Sequence, residues 1–253
     1  VTALIRQATT AAISYSNAED RQEVRDRLVA ILATGLRDAM PGSDHQVAYA
    51  NGLATAATTD AADLLKGWLS GEEVPEGLSI DQGMRWRLVT ALARVGRVGE
   101  DEIAAELQRD NTISGSEQAA GARAAMPTTQ AKQAAWQRAT TDDSVPNETY
   151  RQLVMQFIQP DQTEVLSPYV DPYLELCKAI DSHEGQWAKA GHAQVQNALM
   201  WLFPSTEVID AAWLNKLEGW VSDNDPGSTV RRVLAERADN ARRILRCQEA
   251  SRG

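Results

Sequence analysis

Apolar residues recur along this chain with a helical period and hardly anywhere with the alternation of a strand. Tyr150, Leu153, Val154, Phe157 and Ile158 fall at i, i+3, i+4, i+7 and i+8, which is one face of a helix. Met84, Leu88, Leu92 and Val95 repeat the pattern on a helix opening at Asp81. Trp187, Val195, Ala198 and Leu202 read as a longer stripe, and Val230, Val233, Leu234, Ala241, Ile244 and Leu245 as the last one. The pattern predicts an all-α protein.

Punctuation between the stripes marks where helices begin. Pro41-Gly42-Ser43-Asp44 stops one helix and offers Ser43 or Asp44 as the next N-cap. Gly71 to Gly77, with Pro75 inside, reads as a loop, and Met126-Pro127-Thr128 as a break followed by a cap. Val145-Pro146-Asn147-Glu148 puts Asn147 in the capping position, and Asp223-Asn224-Asp225-Pro226-Gly227 makes a tight turn. Around Pro160, Pro168 and Pro172 both a kinked helix and a short helix after a turn fit the residues. Starts of helix pairs near Ser43, Asp81, Ser114, Asn147, Glu184 and Pro226 are separated by about 38, 33, 33, 37 and 42 residues, the spacing of stacked two-helix units. Such units bury their apolar faces only against neighbours and build extended curved surfaces. The expected architecture is a HEAT-like α-α superhelix of about six antiparallel helix pairs forming a curved bowl, a single helical-repeat domain over 1–253. No Pro, Gly or Ser tract is long enough to divide it. The chain opens at Val1, without Met and within helix-like sequence, and is expected to be a fragment of a longer polypeptide.

Charge and composition narrow the partners. A formal charge of −10 argues against a general nucleic-acid binder, which needs clustered Lys and Arg to neutralise phosphates. The balance is uneven: seven Arg against three acids from Ser228 onward give +4 there and leave −14 on the rest. That basic last helix either complements its own carboxyl-end dipole or meets an acidic partner surface. Cys177 and Cys247 show neither a metal spacing nor a disulfide framework, and no signal peptide is visible, which points to a cytoplasmic, reducing setting. No apolar run approaches the roughly 20 residues of a membrane span.

Candidate chemistry is sparse. His183-Glu184-Gly185-Gln186-Trp187 begins like the H-E-x-x-H zinc motif but carries Trp where the second imidazole belongs. On one continuous helix His192, nine residues on, would lie about 900° away, on the opposite face. No nucleophile elbow, phosphate-binding loop or Cys–His pairing stands out. The acid pairs at Asp142-Asp143 and Glu100-Asp101-Glu102 suit helix starts. The seven tryptophans read as core bulk between helices. In Arg85-Trp86-Arg87, Trp86 falls outside the Met84/Leu88/Leu92 line, so a flanking Arg either points toward whatever the array encloses or snorkels over its neighbours. No catalytic or metal residue is assigned to this chain.

Particular residues then suggest a family. Pro41-Gly42-Ser43-Asp44-His45-Gln46, Gly77-Leu78 running into Arg85-Trp86-Arg87-Leu88, and Asp101-Glu102-Ile103-Ala104-Ala105-Glu106-Leu107 with Arg109-Asp110 resemble the helical C-terminal domain of actinobacterial aminopeptidases N. Ala122-Arg123-Ala124-Ala125 with Pro127, Lys132-Gln133-Ala134-Ala135-Trp136, and Pro146-Asn147 ahead of Gln159-Pro160 fit the same domain, which also closes the endoplasmic-reticulum aminopeptidases of animals. The resemblance is densest from Leu36 to Tyr173. It implies a non-catalytic domain that caps a zinc-dependent catalytic domain upstream in the same polypeptide and lines the peptide-access cavity. The zinc ligands and general base belong to that upstream part, so the chain itself needs no cofactor. The implied partners are the catalytic domain and a peptide substrate, with neither nucleic acid nor membrane. Corner position and helix phase nominate Asp44, His45, Gln46, Arg85, Tyr150 and Arg151 as lining residues. A free-standing helical scaffold for protein partners is the alternative.

Overall fold

The computed structural model describes residues 1–251. Among them are fourteen α-helices, one π-helical turn and two 3-10 turns, with no strand. The all-α expectation holds. The chain forms two compact units: residues 1–115 together with the stretch from Cys247 onward, and residues 116–246.

The first unit contains α1 (Thr2–Thr10), the π turn Ala11–Tyr15, α2 (Arg21–Asp38), α3 (Asp44–Ala56), α4 (Ala62–Ser70), α5 (Gln82–Arg94) and α6 (Glu100–Arg109). Its starts carry the expected chemistry. Ser43 Oγ accepts the Gln46 N–H at 3.2 Å, and Asp81 Oδ1 accepts the Met84 N–H at 2.8 Å, so each satisfies an orphan donor of a first turn. Leu32 and Leu36 of α2, Leu53 of α3, Leu65 and Trp68 of α4, Leu88 and Leu92 of α5 and Ile103 of α6 form the buried apolar interior. Two arginines are buried with them. Arg25 and Arg94 both donate to the Ala57 carbonyl beyond the end of α3, at 3.2 and 2.9 Å. Cations suit a helix carboxyl end, where the last carbonyls lack partners. Burial first, and the neighbouring charge of Arg25 second, bring the Arg94 pKa down to about 10.

The second unit takes α7 (Ile113–Ala125) from Ser116 onward. It continues with α8 (Thr129–Thr141), α9 (Asn147–Met155), α10 (Thr163–Leu166), a 3-10 turn at Ser167–Tyr169, α11 (Val170–Asp181) and a 3-10 turn at Gly185–Ala188. α12 (His192–Trp201), α13 (Ala211–Asn224) and α14 (Ser228–Ala250) follow. The stripe of α9 is buried as its period demands: Tyr150, Leu153, Val154 and Phe157 are at most 2% exposed. Of the seven tryptophans, Trp68, Trp86, Trp187 and Trp213 are buried, and Trp136, Trp201 and Trp220 pack against the second core half-covered.

The six marks at Ser43, Asp81, Ser114, Asn147, Glu184 and Pro226 each lie within two residues of a helix or helical-turn start. Two local expectations change, and one left open is resolved. Trp187 and Val195 do not share a helix: the chain leaves α11 through His183 at φ 55, makes a short 3-10 turn holding Trp187, and restarts at His192. Position 147 is not the cap of α9, because Pro146 occupies that position and no side chain caps the first turn. At the prolines left open, a 3-10 turn carries Pro168, and Pro172 sits in the first turn of α11, where its missing N–H would be unpaired anyway.

Candidate functional site

Polar chemistry in the first unit gathers where α5 begins. A cleft of about 380 Å³ is lined by Ile80, Asp81, Gln82, Arg85, Glu106 and Arg109. The Asp81 cap starts α5, so Arg85 falls one turn into the helix, and Glu106 reaches it from α6. Arg85 Nε and Nη2 donate to the two Glu106 carboxylate oxygens at 2.8 and 2.6 Å, and Nη1 donates to the Leu69 carbonyl at 3.0 Å. This fork-on-fork pairing fixes both planes. Hydrogen bonding to Glu106 raises the Arg85 pKa against the opposing pull of burial. Arg109 Nε stands 4.0 Å from Glu106 Oε1 and its side chain is 66% exposed, so it offers donors to anything entering the cleft.

Beside this pair Trp86 is buried, and its Nε1 donates to Asp110 Oδ2 at 2.7 Å. Asp110 Oδ1 accepts the Thr112 hydroxyl at 2.7 Å, and the Thr112 oxygen accepts the Gly115 N–H at 3.0 Å. A Cβ at Gly115 would lie 2.1 Å from the Asp110 carbonyl oxygen, so the turn out of α6 closes on itself. Arg87 is exposed and donates to the Asn51 side chain of α3. Of the two arginines flanking Trp86, Arg85 is the one that faces a cleft.

The other nominated residues are distributed as follows. Asp44 and His45 are exposed on the first turn of α3. Gln46 is buried: its Oε1 accepts the Gly42 N–H and its Nε2 donates to the Glu76 carbonyl, both at 2.8 Å. It staples two loops and offers no free polar group to a cavity. Gly42 and Gly77 meet there at φ 74 and 80, and a Cβ on Gly77 would sit 2.4 Å from the Gly42 nitrogen. In the second unit, Tyr150 is 1% exposed, its hydroxyl has no partner, and burial raises its pKa. It is a core residue. Arg151 is half-exposed and its Nε donates to Glu148 Oε2 at 2.8 Å.

Other sequence candidates resolve locally. His183 Nδ1 lies 3.0 Å from the Asp181 carbonyl, and His192 begins a separate helix, so the single-helix geometry expected for the pair does not apply. Among the described residues no three His, Cys, Asp or Glu side chains gather in a way that could hold a metal ion. Cys177 is buried, with its thiol pushed up to about 12 by burial, and Cys247 is exposed; neither is bonded to the other. The basic last helix largely meets partners within the chain. Arg231 pairs with Asp225, Arg232 with Glu236 and Arg242 with Glu218, while the Arg237 guanidinium lies 5.4 Å from the Phe203 ring centroid. Arg252, the last of that basic set, lies outside the described residues. No described helix is long and apolar enough to cross a membrane.

From the sequence, Glu106, Arg109 and Lys132 carry only the family resemblance and no lining role. Lys132 of α8 is fully buried, and its Nζ donates to the carbonyls of Ala124 and Phe157, each at 2.7 Å. A signal was present: Ile103, Glu106 and Asp110 share one face of α6 at i, i+3 and i+7, as do Lys132, Ala135 and Ala139 on α8. A charged residue on an apolar face needs a buried partner.

With this geometry in view, the chain compares clearly with known proteins. It is 37% identical over 251 residues to the Aminopeptidase N of Streptomyces lividans, covering 99% of this chain and 28% of that protein. The chain therefore spans between a quarter and a third of the length of that relative. A family model described as "ERAP1-like C-terminal domain" matches residues 1–243, so the chain belongs to the ERAP1-like C-terminal domain family.

Proposed function

We propose that this domain is the non-catalytic C-terminal part of a zinc-dependent aminopeptidase, capping the catalytic domain upstream in the same polypeptide and lining the cavity through which peptides reach it. The observation that carries the reading is the 37% identity to an aminopeptidase N over 99% of this chain and 28% of that protein. Stacked helix pairs of the HEAT type suit enclosure, since they present broad concave faces. Enclosure excludes water and folded proteins from a reacting centre and restricts entry to unfolded chain ends. Within the first unit, the Arg85–Glu106 pair is fixed by its own paired bonds and serves as a rigid floor. Arg109, with Asp44 and His45 on the exposed start of α3, supplies polar contacts to the peptide away from the scissile bond. Zinc and the general base belong to the upstream domain, and the setting is the cytoplasm.

The test is made on the full polypeptide. Intact enzyme, enzyme lacking this domain, and enzyme carrying Arg109→Ala are compared on an aminoacyl-anilide and on peptides of increasing length. Arg109→Ala is expected to raise KM for long peptides about threefold to tenfold with the anilide unaffected, the pattern of a lost binding contact. Removing the domain should abolish length discrimination. A parent polypeptide without aminopeptidase turnover, or length discrimination that survives the deletion, overturns the proposal.

A further inference from the structure

The last carbonyls of any helix lack intrahelical donors and must find partners elsewhere. α1 is seated on α3, most closely where a Cβ on Gly52 would come within 2.6 Å of Ile5 Cγ2. Beyond that the segment is thinly covered: over Thr2–Tyr15 only Thr9 and Ala12 are buried. The π turn at its end leaves the Ser14 carbonyl unsatisfied by the helix, and the Gln248 side chain answers it, Nε2 donating at 2.8 Å. Two residues after the turn, Asn17 is 2% exposed. Its Oδ1 accepts the Asp20 N–H at 2.9 Å and its Nδ2 donates to Asp20 Oδ2 at 2.8 Å, which shapes the entry to α2. The same Nδ2 donates to the Ser251 carbonyl at 3.1 Å. Both cross-links join residues 234 apart in sequence. The two donor side chains, Gln248 and Asn17, are each buried, while Ser14 is half-covered and Ser251 exposed.

We propose that the last turn of α14 is a strap that closes the first unit, so that residues 11–17 keep their native conformation only while Gln248 and Ser251 are docked on them. The strap lies beyond residue 243, where the family model ends, and the proposal does not rest on the aminopeptidase reading. Its chemistry is specific: one buried amide for one orphan carbonyl of a π turn, and one carbonyl for the Asn17 amide. Closure therefore awaits residues 234 positions later in sequence, and release of the strap opens the π turn without unfolding the second unit.

Peptide-level amide exchange in the full polypeptide reads this directly. Deleting the chain from Cys247 onward is expected to speed exchange over residues 11–17 about tenfold or more, and Gln248→Met, which keeps the length and apolar stem but removes the donor, about threefold to tenfold. Exchange over α9, in the second unit, should stay within about twofold in both variants. If residues 11–17 keep their protection after the deletion, or α9 is loosened as much as they are, the strap does not exist as described. If the deleted protein does not fold, Gln248→Met decides alone: unchanged exchange at residues 11–17 overturns the proposal.

Discussion

Replacing Lys132 by Met should flatten a pH dependence that the native protein carries. The ammonium of Lys132 sits in the interior over the Phe157 ring, 5.3 Å from its centroid, with two carbonyls as its hydrogen-bond acceptors. Burial lowers its pKa from 10.5 to about 7. The sign follows from where the proton resides. Below about pH 7 both the folded and unfolded chains hold it, and the fold bears the full cost of burying the charge. Between about pH 7 and 10.5 the unfolded chain holds a proton that the folded one has released, so stability rises with pH by up to about 1.4 kcal/mol per unit. From pH 7 to 9 the gain is about 2 kcal/mol. A neutral amine still has two N–H donors for the two carbonyls, so the contacts persist through the titration. Lys132→Met removes both donors, at about 1–3 kcal/mol for each carbonyl left unpaired, and removes the titration. Urea unfolding followed by tryptophan fluorescence at pH 6, 7, 8 and 9 measures both. The gap between native and variant should widen by about 2 kcal/mol from pH 7 to 9. Parallel curves would refute the reasoning, since they would mean that the amine titrates alike in both states.

Other contacts make separate predictions. Glu106→Leu leaves Arg85 without its carboxylate and should cost about 3–5 kcal/mol in urea unfolding, while the double variant with Arg85→Met recovers most of that. If the double variant is as unstable as the single, the pair is not the cause. Gly77→Ala should lower stability by about 1–3 kcal/mol more than Gly71→Ala, because both have positive φ but only Gly77 meets backbone at 2.4 Å; equal losses in thermal unfolding would remove the steric argument. Of the two cysteines, Cys247 should react with a thiol reagent within the mixing time and Cys177 only on unfolding, being buried with its thiol at about 12. Two fast equivalents would contradict that burial.

The helices were legible because each buries one stripe, and a stripe repeats at a fixed spacing whatever it packs against. Tyr150, Leu153, Val154 and Phe157 are buried because that rule is local. Caps were legible for the same reason: Ser43 and Asp81 act within three residues. The pattern says least where a residue's role is set at a distance. Tyr150 and Gln46 looked like polar contacts for a cavity, yet one lies in the core and the other bonds to Glu76, 30 residues away. Glu106 and Lys132 were given no site role, because periodicity reports a face and not the partner waiting across it. The stripe from Trp187 to Leu202 broke between Lys189 and Gly191, where the 3-10 turn ends and α12 starts from extended backbone that the apolar pattern does not encode.

Surface loops usually exchange, lengthen and shorten independently of one another. The loops around Gly42 and Gly77 have lost that freedom, since the Gln46 amide ties one to the other and their backbones approach too closely for a side chain. They form one transplantable module in two pieces. Grafting either loop from a relative without the other, or without the glutamine between them, brings in half of a fitted joint. Swaps at this corner of the first unit should therefore succeed in matched sets and fail singly, whatever the grafted loop is meant to contribute.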